Sequence, residues 1–144
     1  MLMEIRKFKD EDVSTLVSIW NSDVVGNSVY APFTVELFKQ TFMKNSNYDS
    51  EGSLTITLAG EPIGYGNAMI NKNDENIEET PGFITCVFIK NEHQKNGYGS
   101  LVLKALEDFL KDKGKKFVRL MFYNPVNFKW LIPNEDAYHG GAPA

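Results

Sequence analysis

The run Ile89-Lys90-Asn91-Glu92-His93-Gln94-Lys95-Asn96-Gly97-Tyr98-Gly99-Ser100 holds the residues of this chain best suited to chemistry. A short apolar run, Phe83 to Ile89, leads into it, and an amphipathic run from Leu101 to Lys113 leads out. Strand, polar glycine loop, helix is an order that can hold a phosphate. The glycines let the backbone come close to an anion. The first turn of the helix offers unpaired N–H groups and the positive end of a dipole.

Two nucleotide-binding loops fail to match. The dinucleotide fingerprint needs G-x-G-x-x-G, and Val102 stands where the third glycine belongs. The phosphate-binding P-loop ends in Gly-Lys-Ser/Thr, which is missing here. The pattern that fits is Gln-x-x-Gly-x-Gly, carried by Gln94, Gly97 and Gly99. Asn96-Gly97 is also a common hairpin turn. A hairpin needs a second strand of period two, whereas Val102, Leu106, Phe109 and Leu110 recur at helical spacing. Glu107 and Lys111 make an i,i+4 pair, and Gly114 suits the residue just past the helix. On the residues alone, two other readings stay open: a helix-opening loop that binds nothing, and an unrelated nucleotide-binding α/β module.

These elements need a core behind them. The 144 residues point to one domain, and 42% hydrophobic with 24% charged residues is ordinary for a globular protein. The net charge of −4 argues against nucleic acid or an anionic membrane as the main partner. The basic run Lys111, Lys113, Lys115, Lys116 reads as a solvated helix end. The single cysteine, Cys86, lies in an apolar run and reads as a buried small hydrophobe in a reducing compartment. Two histidines, His93 and His139, with no Cys/His cluster argue against zinc. The first residues lack the apolar core of a signal peptide, and no stretch approaches the ~20 apolar residues of a membrane span. A cytoplasmic location is the default expectation.

Along the chain, Met3 to Phe8 alternates as a strand. Asp10 is placed to cap a helix bearing Val13, Leu16, Val17 and Trp20, which ends at Asn21-Ser22-Asp23. Thr34 caps a second helix, with Val35, Leu37, Phe38, Phe42 and Met43 on its buried side. Leu54, Ile56 and Leu58 alternate, and Ala59-Gly60-Glu61-Pro62 turns the chain into a second strand, Ile63 to Ile70. Gly64 and Gly66 in that strand imply a bend or a close neighbour. Phe83 to Ile89 is apolar on both faces and so central. Phe117 to Tyr123 is another buried strand, parallel to it through a βαβ unit.

With its flanking elements and this overall order, the Gln-x-x-Gly-x-Gly loop resembles the acyl-CoA pyrophosphate loop of the GNAT N-acetyltransferase superfamily. The resemblance runs from Met3 to Tyr123 and implies an α/β fold on a mixed α+β sheet. It implies acetyl-CoA as co-substrate, with no metal. The backbones of Val87, Phe88 and Ile89 would pair with the pantetheine arm like an added strand. The backbone N–H groups of Lys95, Asn96, Gly97, Tyr98, Gly99 and Ser100 would bind the pyrophosphate, with Gln94 at the first position of the motif. Asn124 stands where the family often has an asparagine near the cofactor. The acceptor, a small-molecule or peptide amine, would meet the loop between the first two helices, Asn21 to Phe33. Tyr30 and Phe33 are its candidate liners, although both can equally pack in the core. Glu78 and Glu79 are possible bases, but surface solvation is the plainer reading, and no base is nominated.

The C-terminus departs from the family. A helix that often carries a thiolate-protonating tyrosine, then two strands, should follow the fifth strand. Pro125 and Pro133 flank an apolar run instead, and Asn134 to Ala144 is polar and rich in glycine and proline. The division expected is a GNAT-like domain over 3–124 and an extension or truncated continuation over 125–144. Tyr138 and His139 belong to that tail. This implies the front part of a longer or tandem-domain protein, with a second GNAT domain or a homodimer as partner. A non-catalytic half-domain is then the alternative function.

Overall fold

A computed structural model describes residues 2–25, 32–70 and 81–120. Five strands form one sheet in sequence order: β1 (Met3–Lys7), β2 (Ser53–Leu58), β3 (Glu61–Met69), β4 (Gly82–Ile89) and β5 (Val118–Leu120). Neighbours from β1 to β4 are antiparallel, and β4 and β5 are parallel. Three helices accompany them: α1 (Val13–Ile19), α2 (Val35–Thr41) and α3 (Tyr98–Asp112). The expected hairpin and the expected βαβ unit are both present.

The sheet is covered on two faces. Phe33, Phe38, Phe42, Trp20 and Leu16 pack with Tyr65, Cys86 and Phe88 in one core. Val102, Leu106 and Leu110 of α3 pack with Ile56, Ala68, Ile84, Val87 and Ile89 in the other. Every residue of β4 is buried, so its apolar sequence is dictated by burial on both sides. Its faces do not simply alternate: Phe83, Cys86 and Phe88 belong to the first core, and Ile84, Val87 and Ile89 to the second. Thr85 is the extra residue of a bulge, where the register jumps from Asn67↔Cys86 to Ala68↔Ile84. Gly66 lets α3 sit close, since a Cβ there would lie 2.9 Å from Val102 Cγ2.

Several local expectations are revised. Asp10 does not cap the first helix. Asp12 accepts the Lys9 N–H at 2.9 Å, and its buried carboxylate also takes Arg6 in bidentate fashion, both contacts at 2.8 Å. Thr55 Oγ1 donates to it at 2.9 Å. Burial opposes the charge on Asp12, but the Arg6, Lys9 and Thr55 hydrogen bonds and the Arg6 charge outweigh it and hold the carboxyl below its ordinary pKa. The first helix does not end at Asn21–Asp23 but widens into a π-helical turn, Trp20–Val24. Thr34 does cap α2, accepting the Leu37 N–H at 3.0 Å. Val35, however, is exposed, because the buried stripe of α2 is carried by Phe38 and Thr41 and continues at Phe42.

α3 starts at Tyr98 rather than Leu101, since Gly97 is its N-cap. Its exposed i,i+4 ion pair is Lys104–Asp108 rather than Glu107–Lys111. It ends as expected at Gly114, whose φ of 83° allows Gly114 N–H to reach Lys111 O and Lys115 N–H to reach Leu110 O. This reversal folds Lys115 inward, so it is buried rather than part of a solvated helix end. β5 is also not buried: Phe117, Val118 and Leu120 are exposed, because β5 is the outermost strand of the described sheet.

Candidate functional site: an anion cradle between β4 and α3

The loop after β4 is built in three steps. Asn91–His93 form one 3₁₀ turn. Gln94 returns the backbone to an extended conformation. Lys95 and Gly97 then adopt positive φ, 70° and 79°, on either side of Asn96. Glycine takes that conformation freely, whereas lysine is strained by it. Left-handed residues in such a loop turn successive N–H groups toward one concave side.

Gln94 holds the root of the loop. Its Nε2 donates to Ile89 O at 3.1 Å and to Asn91 Oδ1 at 3.0 Å. Both amide protons are thereby used on the protein. Asn96 Nδ2 closes the turn onto His93 O at 3.4 Å. The motif's glutamine is therefore a staple for the loop, and the backbone is left to meet a ligand.

The N-terminus of α3 carries no side-chain cap, its N-cap being Gly97. The first N–H groups of a helix lack intrahelical partners. A Cβ built on Gly97 or Gly99 would meet nothing within 4 Å. The backbone at Gly97 and Gly99 thus borders open space, with the first-turn N–H groups and the helix dipole behind it, an arrangement suited to an anion.

Val87, Phe88 and Ile89 lie on β4 with buried side chains, so only their backbone can serve a ligand. On one edge they pair with Gly66, Tyr65 and Gly64 of β3. On the other, the described ladder to β5 runs only from Gly82↔Val118 to Ile84↔Leu120. Among the described residues, the edge from Thr85 to Ile89 therefore has no strand partner.

Phe33 packs in the core, with ring centroids 5.1 Å from Trp20 and 5.2 Å from Phe38. An aromatic between two helices and a sheet is held there by burial. Tyr30, Glu78, Glu79, Asn124, Tyr138 and His139 lie outside the described residues, as does the apolar run 128–132. Burial pushes the Cys86 thiol well above its ordinary pKa, as expected of a structural cysteine and not of a nucleophile.

The polar contacts of Asp23 with the loop and of Asn67 with the bulge were not foreseen from sequence. Asp23 Oδ2 accepts the Asn91 N–H at 2.8 Å. Asn67 Nδ2 donates to Thr85 Oγ1 at 2.7 Å, and the Thr85 hydroxyl lies 3.2 Å from Asn67 O. Asn67 Oδ1 is buried and has no hydrogen-bond partner among the described residues. Such a pairing across strands has no local sequence signal, because the bulge sets its register. An open groove of about 730 Å³ touches only the root of the loop, between Ser14 and Ser18 of α1, Ser22 of the π turn, and Glu61, Lys90 and His93. It lies apart from the α3 N-terminus. Among the described residues, no group of three or more His, Cys, Asp or Glu is placed to hold a metal ion, and no helix is long and apolar enough to cross a membrane.

A mixed five-stranded sheet whose fourth strand runs through a glycine loop into an uncapped helix N-terminus is an α+β architecture with a candidate anion site. Residues 14–128 match the model of the acetyltransferase (GNAT) family. The chain belongs to the GNAT acetyltransferase family. Solved structures agree on the fold. Ard1 from Thermoplasma volcanium superposes with a TM-score of 0.66 at 18% identity, covering 83% of this chain and 71% of that one. An aminoglycoside acetyltransferase from an uncultured soil metagenomic sample, in complex with sisomicin, gives 0.60 at 15% identity, covering 83% and 76%. The ribosomal-protein-S18-alanine N-acetyltransferase from Escherichia coli gives 0.58 at 15%, covering 78% and 62%. No curated protein sequence matches the chain.

Proposed function

We propose that this protein transfers an acetyl group from acetyl-CoA to the amine of a small molecule or peptide. The observation that carries the reading is the uncapped N-terminus of α3, with Gly97 at φ 79° and open space before Gly97 and Gly99. Acetyl-CoA supplies an activated thioester. The backbone N–H groups of Gly97 to Ser100 hold its pyrophosphate, and the edge of β4 at Val87, Phe88 and Ile89, which has no strand partner among the described residues, takes its pantetheine arm. A backbone N–H on that edge polarises the thioester carbonyl. The neutral amine attacks the carbonyl carbon and the C–S bond breaks. The nitrogen loses one proton and the thiolate gains one. No covalent enzyme intermediate is needed, which suits a buried, unreactive Cys86.

Thermal shift with acetyl-CoA, CoA and ATP tests this. Stabilisation by acetyl-CoA and CoA but not ATP is expected. Stabilisation by ATP alone would replace the reading with a nucleotide-binding module. Release of CoA thiol in the presence of an amine panel then identifies the acceptor class.

A further inference from the structure

We infer that Asp23 is a positioning residue that couples the cofactor loop to the acceptor side of the fold; the inference rests on the acetyl-CoA reading given above. Helix α1 does not stop at Ile19 but opens into the π turn Trp20–Val24, closed by the Val25 N–H bonding to Trp20 O. Such turns are rare and concentrate at functional sites. One extra residue in a turn rotates the side chains beyond it by roughly 100° about the helix axis. Trp20 stays in the core, its ring 5.3 Å from Phe88 on β4 and 5.1 Å from Phe33. Asn21 and Asp23 are then free to serve opposite sides.

Asn21 clasps Phe33 through both of its backbone groups. Nδ2 donates to Phe33 O at 2.8 Å, and Oδ1 accepts the Phe33 N–H at 2.8 Å. Asp23 Oδ2 accepts the Asn91 N–H at 2.8 Å, while its Oδ1 accepts from Ser22 Oγ at 2.9 Å. Asn91 is the residue onto which Gln94 is stapled. One short turn thus joins the stem of the α1–α2 connection to the root of the anion cradle, through side chains two residues apart. A shift of the cradle on binding acetyl-CoA acts through Asn91 and Asp23 on the Asn21–Phe33 clasp.

Amide hydrogen exchange on the whole chain tests this, with Asp23→Ala and Asp23→Asn. Asp23→Asn keeps an oxygen that can accept, so it should behave nearly as wild type. Asp23→Ala should speed exchange of the Asn91 amide and also of the Phe33 amide, which Asp23 does not touch. It should weaken acetyl-CoA binding roughly three- to tenfold, as for one ordinary hydrogen bond. In wild type, acetyl-CoA should slow Phe33 exchange; in Asp23→Ala at saturating acetyl-CoA it should not. An equal response of Phe33 in both proteins overturns the coupling. If wild type binds no acetyl-CoA, the functional reading falls. The link is then decided without ligand: faster Phe33 exchange in Asp23→Ala supports it, and unchanged exchange refutes it.

Discussion

Gln94 Nε2 donates to the carbonyl of Ile89 at 3.1 Å, so the first residue of the loop motif is fastened to the last residue of β4. A second bond, to Asn91 Oδ1 at 3.0 Å, uses its other proton. Gln94→Ala removes both and leaves the fold's cores untouched. Acetyl-CoA should bind about tenfold more weakly, as expected for a loop that must be ordered on binding. The melting temperature should change by no more than a few degrees. Gln94→Glu should behave similarly, since a carboxylate cannot donate. Calorimetric titration of both variants checks this; undiminished affinity would show that the staple is dispensable.

Gly97 permits a sharper test. Its φ of 79° costs a side chain about 1 kcal/mol, and a Cβ there meets no neighbour. Gly97→Ala should therefore cost only that strain, about 3 °C in melting temperature. Gly97→Glu adds a negative side chain in front of the α3 N-terminus. It should fold like Gly97→Ala, yet lose acetyl-CoA binding by at least about a hundredfold from like-charge repulsion in the cradle. Equal affinities for the two variants would move the pyrophosphate away from this loop.

The sequence exposed those parts of the site that depend on local rules. Thr34 as a cap, Gly114 past α3 and the apolar run of β4 each follow from chemistry within a few residues. The glycine loop was legible for the same reason: strand, polar turn and helix spacing are all local. The misses were long-range. Asp10 looked like the cap, yet Asp12 gained Arg6 and Thr55 from two strands and became the buried anchor. The π turn at Trp20–Val24 has no propensity signal, and its link from Asp23 to Asn91 spans 68 residues. Phe33 could line a site or fill a core, and only the cluster with Trp20, Phe38 and Phe42 decides where it lies. The bulge at Thr85 shifts the faces of β4 in a way that a run of apolar residues cannot reveal.

Asp12 should make the protein acid-sensitive. Its folded-state pKa is depressed, so its contribution is complete above the unfolded value of about 4 and is lost as the pH falls through the folded one. Stability measured by urea denaturation should thus hold near neutrality and decline below about pH 5. Arg6→Ala leaves a nearly buried carboxylate without its guanidinium and should cost about 3 kcal/mol at pH 7. Asp12→Asn should flatten the acid limb of the pH profile. An unchanged limb in that variant would assign the acid sensitivity to other carboxylates.

Thr85 and Asn67 form the polar pair at the bulge, where β4 leaves its described ladder with β5. The Thr85 hydroxyl accepts from Asn67 Nδ2 and can donate to Asn67 O, which leaves Asn67 Oδ1 buried without a partner among the described residues. Thr85→Val preserves the shape and removes the hydroxyl. It strands Nδ2 beside an already unpartnered oxygen and should cost about 2 kcal/mol. Replacing both members, Thr85→Val with Asn67→Leu, removes every unsatisfied side-chain atom at the bulge. The double variant should regain much of that loss, because apolar groups of similar size leave nothing to desolvate. If the pair serves stability alone, acetyl transfer in the double variant should follow its stability. If the pair also shapes the edge of β4 for the thioester, acetyl transfer should remain low while the melting temperature recovers. The second outcome is expected, since the bulge lies where the described ladder to β5 ends, and parallel melting and CoA-release assays on the two variants separate the cases.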